Sequence, residues 1–415
     1  MSNALIDRFL GSIVKQGRLT ITMPSGAVHV LGEPAEGFPE VAIRLTDNKV
    51  VRDILLDPRL GAGEAYMDGR IVIERGDVMQ LVQLIRANKP WERGGKLKDP
   101  SPWRKLRDGA KFLATSFNEA RSSKRNVAHH YDIGNDLYRL MLDHEHMQYS
   151  CAYWAPGIET LAHAQEAKLA HIAAKLALEP GQRVLDIGCG WGGMAIYLAR
   201  HFNVRVHGIT LSEEQLALAV ERAAEAGVSD RVSFELVDYR DLAKRGESFD
   251  RIVSVGMFEH VGRPQFETFF RACANLLSQD GVMLLHTIGR FGKPGKTDAF
   301  TAKYIFPGGY IPALSETLAA SEKSRLIHSD IETLRLHYAL TLRQWYANCE
   351  ANRDTIVAMM DERFYRMWTF YLAGATAVFE SGGMGNYQIQ FTRNRRALPL
   401  TRNYMLEAER KLLTD

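Results

Sequence analysis

The sequence predicts a doubly wound α/β domain with a mostly parallel sheet, preceded by a smaller α+β domain. From about residue 126, short apolar runs rich in β-formers alternate with segments long enough to form helices. A glycine-rich stretch directly follows the first of these runs, as happens where a strand turns into a helix. Before residue 88, in contrast, a helix-spaced apolar run over residues 5–13 comes first, strand-like runs follow it, and further helix-like segments come after them.

The small N-terminal α+β domain is predicted over residues 1–88. Three runs of β-formers bounded by Pro and Gly read RLTITMP, AVHVLG and EVAIRLTD, and two helix-spaced runs follow, VVRDILLD and DVMQLVQLIRAN. Residues 89–125 contain KPWERGGKLKDPSPWRK and then a basic helical stretch, which is typical of a linker and a connecting helix.

The larger domain is predicted over residues 126–415. Its strands are predicted in RVLDIG, VRVHGIT, VSFELV, DRIVSV and GVMLLHTI. Helices are predicted before and between them in TLAHAQEAKLAHIAAKLAL, GGMAIYLARHF, SEEQLALAVERAAEAG and PQFETFFRACANLL. Parallel sheets of this kind bind ligands beyond the carboxyl ends of their strands. The residues that follow each strand are therefore candidates for a functional site.

Composition and charge argue against several classes of protein. The formal net charge is +3 and the pI about 8.5, which permits contact with an acidic membrane surface and does not require nucleic acid. The four cysteines form no C-x-x-C pair, so we expect no disulfide framework, no metal site and a cytoplasmic location. The longest apolar stretch, residues 367–379, is shorter than the ~20 residues of a membrane-spanning helix. The N-terminal segment does not resemble a secretory signal.

The glycine-rich stretch VLDIGCGWGG ends a predicted strand with Asp186 and continues through Gly188 and Gly190. Glycine at such a turn lets the backbone adopt positive φ and approach a ligand closely. The spacing also satisfies G-x-G-x-x-G, so the loop alone leaves a dinucleotide as an alternative ligand. The next strand ends in GITLSEEQ, without the acid that commonly holds ribose hydroxyls, and Thr210 and Gln215 offer neutral hydrogen bonds there.

Six motifs in order give a more specific signal: HHYDIGNDLY, QYSCAYW, DIGCGWGG, GITLSEEQ, VGMFEHVG and YIFPGGYIP. DIGCGWGG resembles the first motif of class I S-adenosylmethionine-dependent methyltransferases, and the whole set resembles the cyclopropane-fatty-acid synthase family, whose relatives include mycolic-acid methyltransferases. The resemblance covers nearly the whole chain and implies a Rossmann-like methyltransferase domain. The residues it assigns to S-adenosylmethionine are Tyr149, Ser150, Asp186, Gly188, Gly190, Thr210, Leu211, Gln215, Tyr239 and Arg240. For Asp186, the alternative is that it orients the loop by accepting backbone N–H bonds.

The resemblance implies transfer of a methyl group to a cis double bond of a phospholipid acyl chain, followed by closure of a cyclopropane ring. The carbocation formed on the lipid needs a dry pocket and a base. In the family the base is a bicarbonate ion, and the resembling positions are Cys151, Glu259, His286, the backbone amide of Ile288, and Tyr338. A bicarbonate hydroxyl that donates to Glu259 avoids repulsion between two anions, while His286 and Tyr338 donate to its other oxygens.

Taken singly, these side chains have ordinary structural explanations. Cys151 would be a small buried apolar group, His286 a core histidine and Tyr338 a packing aromatic residue. His260, next to Glu259, is interpreted as a structural residue at a helix start. The occurrence of the others together with the nucleotide motifs favours the functional interpretation.

The segment of about residues 289–329 interrupts the predicted sheet before its last strand and mixes aromatic residues, Ile and Pro with Lys. We expect it to cover an acyl tunnel, with a packed surface excursion as the alternative. The late aromatics from Phe364 to Tyr371 either line that tunnel or form an ordinary core. The basic runs RSSKR and RNRR either meet anionic headgroups or form solvated faces.

We expect a homodimer that acts on unsaturated phospholipid acyl chains, peripherally associated with the inner face of the membrane and without a nucleic-acid partner. The N-terminal domain is expected to bind lipid or to form the dimer contact. Two other functions remain open. One is methylation that yields a methyl-branched, methylene or furan-precursor lipid. The other is a lipid-binding or transfer protein without chemistry, against which the intact nucleotide loop argues.

Overall fold

The computed structural model describes residue 11, residues 13–95 and residues 134–414. Its internal contacts divide the chain into two compact units. The described residues of the first unit are 11, 13–95, 297–307 and 342–384, and those of the second unit are 134–296, 308–341 and 385–414.

The described strands and helices alternate along most of the chain. The strands are β1 (Arg18–Thr22), β2 (Val28–Leu31), β3 (Glu40–Leu45), β4 (Ile71–Arg75), β5 (Arg183–Ile187), β6 (Arg205–Thr210), β7 (Val232–Leu236), β8 (Phe249–Val255), β9 (Leu277–Arg290), β10 (Ile327–Leu334) and β11 (Met384–Thr392). The helices are α1 (Lys49–Leu56), α2 (Pro58–Met67), α3 (Val78–Ala87), α4 (Asn135–Met141), α5 (Leu161–Leu176), α6 (Gly193–His201), α7 (Glu213–Glu225), α8 (Tyr239–Leu242), α9 (Phe266–Leu276), α10 (Ala299–Tyr304), α11 (Leu314–Glu322), α12 (His337–Ala351), α13 (Arg353–Met359), α14 (Glu362–Glu380) and α15 (Asn403–Thr414). Among these described helices, none is long and apolar enough to cross a membrane.

The first unit contains a four-stranded sheet in the order β2-β1-β3-β4. β1 pairs antiparallel with β2 and parallel with β3, and its side chains alternate between core and surface, as in a half-buried strand. Asp57 begins α2 by accepting a hydrogen bond from the Leu60 N–H at 3.2 Å, and Asp77 begins α3 by accepting from the Gln80 N–H at 2.7 Å. Such side-chain caps explain where these helices start.

Segments from much later in the chain pack into the first unit. In α2, a Cβ on Gly63 would lie 2.5 Å from the Phe300 ring, so only glycine permits this approach. The neighbouring Glu64 accepts hydrogen bonds from Lys303 Nζ at 2.6 Å and from the Tyr304 hydroxyl at 2.9 Å. These contacts join residues about 240 positions apart.

The first unit therefore extends beyond the predicted domain of residues 1–88, and the predicted insertion of residues 289–329 is divided between the two units. A boundary read from sequence groups neighbouring residues, whereas these units are defined by long-range packing. Among the late aromatics, Trp368 is buried, and the Phe370 ring centroid lies 5.0 Å from that of Phe300. The burial of Trp368 and the ring contact of Phe370 favour the alternative that these two residues form an ordinary core.

The second unit contains a seven-stranded sheet in the order β10-β11-β9-β8-β5-β6-β7. The pairs β5–β6, β5–β8, β6–β7 and β8–β9 are parallel, whereas β10 and β11 are antiparallel. Val184 and Leu185 in the central strand β5 are completely buried, as expected for a strand covered on both faces. The predicted doubly wound, mostly parallel sheet is confirmed.

The register of the parallel strands brings their carboxyl ends to one edge. Asp186 in β5 lies opposite Gly208 in β6 and Val253 in β8, and Val255 in β8 lies opposite His286 in β9. The loops that leave these strands are therefore neighbours at that edge, although they come from separate parts of the sequence.

Core packing in this sheet gives a direct test of the structure. Leu284 in β9 is completely buried, whereas Leu406 in α15 is 57% exposed. We expect Leu284→Ala to lower the free energy of unfolding by about 2–5 kcal/mol, because it leaves a cavity between sheet and helices. The same change at Leu406 should cost less than about 0.5 kcal/mol. Urea unfolding followed by circular dichroism measures both, and equal losses would contradict the assigned packing.

Candidate active site

A cavity, called here the strand-end cavity, lies at the carboxyl edge of the parallel strands in the second unit. Its walls come from the segments 147–150, 186–194, 209–215, 237–240 and 255–261. All ten residues that the sequence assigned to the cofactor line it: Tyr149, Ser150, Asp186, Gly188, Gly190, Thr210, Leu211, Gln215, Tyr239 and Arg240. Gathering them in one cavity is consistent with their predicted role.

The glycine-rich loop between β5 and α6 has the backbone that its sequence predicts. Gly188 and Gly190 have φ values of +82° and +55°, a region that favours glycine. A Cβ on Gly188 would lie 2.7 Å from the Met257 side chain, whereas one on Gly190 would meet no described atom within 4 Å. Gly188 is thus required by packing, and Gly190 leaves space in which a ligand can approach the backbone.

Asp186, at the end of β5, is a buried acceptor that faces the cavity. It is 2% exposed, and burial raises its pKa to about 7, opposed by the positive charge of Lys168. Its Oδ2 atom has no hydrogen-bond partner among the described residues. In the described part of the chain, no backbone N–H of the glycine-rich loop donates to this carboxylate. The alternative that Asp186 orients the loop by accepting backbone N–H bonds therefore has no support in the structure.

The end of β6 carries a neutral polar cluster in place of an acid. The Thr210 hydroxyl donates to Gln215 Oε1 at 2.8 Å and accepts from the Ser212 N–H at 3.2 Å. Ser212 in turn begins α7 by accepting from the Gln215 N–H at 3.2 Å. These contacts hold Gln215 by its carbonyl and leave its side-chain NH2 group for a ligand in the cavity.

Tyr239 and Arg240 are fixed in the cavity wall by their neighbours. The Arg240 guanidinium binds the Asp238 carboxylate through two nitrogens at 2.7 and 2.8 Å, and this hydrogen bonding raises the pKa of Arg240. The Tyr239 ring packs edge-on against Phe269, with centroids 5.3 Å apart. A rigid aromatic face with a held cation beside it suits a planar group such as a purine.

Two upstream motifs support the glycine-rich loop. The Tyr138 ring centroid lies 4.9 Å from that of Trp191 and 5.2 Å from that of Tyr149. Asn135 Oδ1 accepts a hydrogen bond from the Trp191 indole N–H at 2.8 Å. The described end of HHYDIGNDLY therefore packs against both QYSCAYW and DIGCGWGG, whereas its first residues, 129–133, lie outside the described chain, as does RSSKR.

Glu259 lies in the turn after β8, between two cavity-lining residues, Met257 and His260. Its Oε1 atom accepts a hydrogen bond from the Ile288 N–H at 2.6 Å, and its Oε2 atom is buried with no partner in the described part of the chain. Burial raises the pKa of Glu259 to about 7, while the Ile288 N–H acts to lower it. The backbone N–H of Ile288 in β9 thus offsets part of the cost of burying the Glu259 carboxylate at the end of an apolar strand.

The sequence predicts a structural role for His260, and the structure shows that this residue also lines the strand-end cavity. Burial lowers its pKa to about 4, so it is neutral near pH 7. Its place in the motif FEHVG, directly after Glu259, was the available signal.

His286 has a different environment from the one predicted. It is 1% exposed, and its Nε2 and Nδ1 atoms lie 3.0 Å from the Asn386 amide and 3.2 Å from the Gln388 amide. Gln388 Oε1 also accepts from Lys175 Nζ at 2.7 Å. Both ring nitrogens are therefore engaged by β11, and burial lowers the pKa of the imidazole. The sequence signal for these partners was the alternation of polar residues in NYQIQ.

The segments that carry Cys151 and Tyr338 are joined by hydrogen bonds between neighbouring residues. The Ala152 N–H donates to Thr341 Oγ1 at 3.1 Å, one helical turn beyond Tyr338 in α12, and the Trp154 N–H donates to His337 Nδ1 at 2.9 Å. Cys151 is completely buried, and burial raises the pKa of its thiol. The thiol is neutral near pH 7 and can act only as a hydrogen-bond donor or acceptor.

The segments of the five predicted catalytic residues are connected. A Cβ on Gly256 would lie 3.7 Å from Ser150 Cβ, so the residue before Cys151 packs against the end of β8. The Gly256 N–H donates to the His286 carbonyl at 2.9 Å. Together with the Glu259–Ile288 hydrogen bond, these contacts bring the segments that carry Cys151, Glu259 and His286 to one edge of the sheet.

Solved structures of similar fold define the class of this protein. Coclaurine N-methyltransferase bound to N-methylheliamine and SAH matches with a TM-score of 0.64 over 80% of this chain and 98% of that chain, at 21% identity, which shows the fold alone. Mycolic acid cyclopropane synthase CmaA1 complexed with SAH and CTAB matches with a TM-score of 0.61 over 65% of this chain and 97% of that chain, at 33% identity. The fold is that of a Rossmann-like class I S-adenosylmethionine-dependent methyltransferase.

Sequence comparison then gives the family. The family described as mycolic acid cyclopropane synthetase matches residues 118–389. The cyclopropane-fatty-acyl-phospholipid synthase of Escherichia coli (strain K12) is 38% identical over 365 residues, which cover 87% of this chain and 90% of that relative. The chain therefore belongs to the family of cyclopropane synthases that contains these two matches, and it is an S-adenosylmethionine-dependent methyltransferase. The resemblance stated from the six motifs is confirmed.

The glycine-rich loop gives a test of the strand-end cavity. We expect Gly188→Ala to weaken S-adenosylmethionine binding at least tenfold, because its φ of +82° and the 2.7 Å approach to Met257 both disfavour a side chain. Gly227→Ala is the matched control, since Gly227 has a φ of +67° but open space around it and does not line the cavity. Titration calorimetry measures both affinities, and equal affinities would contradict the loop's assigned role.

Proposed function

We propose that this methyltransferase transfers a methylene unit from S-adenosylmethionine to the cis double bond of an unsaturated phospholipid acyl chain and forms a cyclopropane ring. The functions named for its relatives support this class of substrate and product. The observation that carries the proposal is the carboxylate of Glu259, which is buried beside the strand-end cavity with one oxygen unused among the described residues. An ordinary core position would not hold such a group.

S-adenosylmethionine, when bound, supplies the electrophilic methyl group. We assign the chain's contacts with it by position along the cavity. Gly188 and Gly190 give the backbone access, and Asp186 offers an unused acceptor to a donor of the cofactor. The amide of Gln215, held by Thr210, suits the ribose hydroxyls. Tyr149, Ser150 and Leu211 complete the walls, and Tyr239 and Arg240 suit the adenine.

The second part of the proposal is a bicarbonate base held by Cys151, Glu259, His286, the Ile288 amide and Tyr338. Glu259 Oε2 suits the anion's hydroxyl group, because an ionised carboxylate can only accept. The Ile288 N–H now donates to Glu259 Oε1, so it can bind an anion only by exchanging that bond. His286 must likewise exchange its contact with Asn386 or Gln388 before it can donate.

Surroundings of low polarity serve the same chemistry. Cys151 and His286 are almost completely buried, and Glu259 and Tyr338 are 8% exposed each. A site of this kind excludes water, which would otherwise capture a carbocation on the lipid. It also strengthens every hydrogen bond to the anion, because the local dielectric is low.

We further propose that the enzyme reaches its substrate at the inner face of the membrane as a peripheral protein of the cytoplasm. In the run RNRR, Arg395 and Arg396 are exposed, and Leu400 a few residues later is fully exposed. Cationic and apolar side chains together suit an anionic lipid surface. In the first unit, Val28 and Val30 on the edge strand β2 are each 59% exposed, which suits lipid binding or a homodimer contact.

The product distinguishes this reaction from its alternatives. Purified protein, vesicles of monounsaturated phospholipid and S-adenosylmethionine with a labelled methyl group should yield fatty acids one CH2 heavier that contain a cyclopropane ring. Gas chromatography with mass spectrometry identifies the ring. A methyl-branched or methylene product would refute ring closure, and binding of the cofactor without any product would favour a lipid-binding protein.

Glu259→Gln tests the proposed base site. We expect S-adenosylmethionine affinity within about twofold of wild type and a turnover lowered about 100-fold, because the amide removes the ionised acceptor. Since burial raises the pKa of Glu259 to about 7, wild-type activity should increase as pH rises through 7. Calorimetry and initial rates measure the two effects. Glu267→Gln is the control, because that side chain is 46% exposed and lies outside the site.

The same variant has a stability signature. Relative to its ordinary value of 4.5, the raised pKa means that the fold favours protonated Glu259. Its contribution to stability is complete below about pH 4.5 and is lost as the pH rises through about 7. The free energy of unfolding of Glu259→Gln, measured by urea unfolding, should therefore rise relative to that of wild type across that pH range.

For the activity measurements, equal losses of cofactor binding and turnover in Glu259→Gln would contradict the assigned role.

A further inference from the structure

Lys168 in α5 is completely buried, and the proposed chemistry does not use it. Its Nζ atom donates to the Gln148 side-chain oxygen and, at 3.0 Å, to Ser150 Oγ. Burying an ammonium group is costly unless its hydrogen bonds offset the cost. Both partners, a side-chain amide and a hydroxyl, are neutral. The Lys168 ammonium group therefore holds two polar side chains by hydrogen bonds and forms no ion pair with them.

A second side chain of α5 holds the same segment by its backbone. Gln165 Nε2 donates to the Gln148 carbonyl at 3.2 Å and to the Ser150 carbonyl at 3.0 Å. Gln165 and Lys168 are one helical turn apart and therefore share a face of the helix. From the other side, Asp143 accepts from the Gln148 N–H at 2.9 Å. Residues 148–150 are thus held at both backbone and side chains.

The held segment is part of the strand-end cavity. Gln148, Tyr149 and Ser150 all line it, whereas Lys168 does not. Cys151 follows directly. The orientation of Tyr149 and Ser150 toward the cavity therefore depends on a group one layer behind them.

Burial and titratable groups on three neighbouring segments act on the pKa of Lys168. Burial lowers its pKa to about 7, and the carboxylates of Asp143 and Asp186 oppose this shift by favouring the charged form. The hydrogen bonds to Gln148 and Ser150 require an amine or ammonium donor in either state. Methionine is close in length to lysine and has no donor, so it removes these bonds with little change in packing.

We propose that Lys168 is a positioning residue for the S-adenosylmethionine site, which fixes Gln148 and Ser150 and thereby presents Tyr149 and Ser150 to the cofactor. The inference rests on the proposed assignment of Tyr149 and Ser150 to that cofactor. Removing Lys168 frees the segment, so cofactor binding must first order it again. The effect falls mainly on affinity and less on turnover once the cofactor is bound.

Calorimetric titration of the full chain with S-adenosylmethionine tests this. Lys168→Met should raise Kd about tenfold, the size expected for losing hydrogen bonds from a charged group, and should lower turnover at saturating cofactor less than threefold. In the Ser150→Ala background the same change should raise Kd less than threefold, because one of the two Lys168 hydrogen bonds is already broken. A structural defect alone would give no such coupling between the two positions.

Lys175→Met is the matched control, since Lys175 lies on the same helix and is 1% exposed but contacts Glu332 and Gln388. It should lose stability as Lys168→Met does and retain wild-type Kd. Wild type that fails to bind S-adenosylmethionine would refute the cofactor site itself. If wild type binds the cofactor, two outcomes would overturn only the positioning role. One is a Kd of Lys168→Met within twofold of the wild-type Kd, and the other is additive effects of Lys168→Met and Ser150→Ala on Kd. Should Lys168→Met not fold, Lys168→Gln is measured against the same limits.

Discussion

The parallel register of the central strands is the constraint on which the site depends. Because β5, β6, β8 and β9 run in one direction, the residues at their carboxyl ends must meet at one edge. Asp186, Thr210, Glu259 and Ile288 are far apart in sequence and become neighbours only through this arrangement. A shift of one residue in β8 or β9 would turn side chains to the opposite face and separate the Glu259 carboxylate from its backbone donor.

The site also contains three buried ionisable side chains, and a different interaction offsets the cost of burying each of them. Glu259 uses a backbone N–H, Asp186 has the opposing charge of Lys168, and Lys168 uses neutral oxygens. Since burial raises the pKa of both carboxyl groups to about 7 and lowers that of Lys168 to about 7, small changes in the cavity can alter their protonation. Perturbed groups gathered in this way are typical of functional sites.

Local patterns gave the parts of the structure that depend on neighbouring residues. The strand, glycine-rich turn and helix around Gly188 could be predicted because all three signals lie within about twenty residues, and the six motifs then indicated the family. The partners of His286 could not be predicted in this way, since Asn386 and Gln388 lie 100 and 102 positions away. Lys168 was missed because a lysine in a helix is normally exposed. The apolar residues all around that helix were the signal that it is buried.

The discontinuous first unit has a consequence for synthesis of the chain. Gln83 in α3 donates a hydrogen bond to Glu380 in α14, 297 positions later, and Gly63 packs against Phe300. The N-terminal sheet therefore emerges from the ribosome long before the helices that complete its core have been translated. Until residue 384 is available, the faces of α2 and α3 that receive those helices remain exposed in the nascent polypeptide, which makes them suitable sites for chaperone binding.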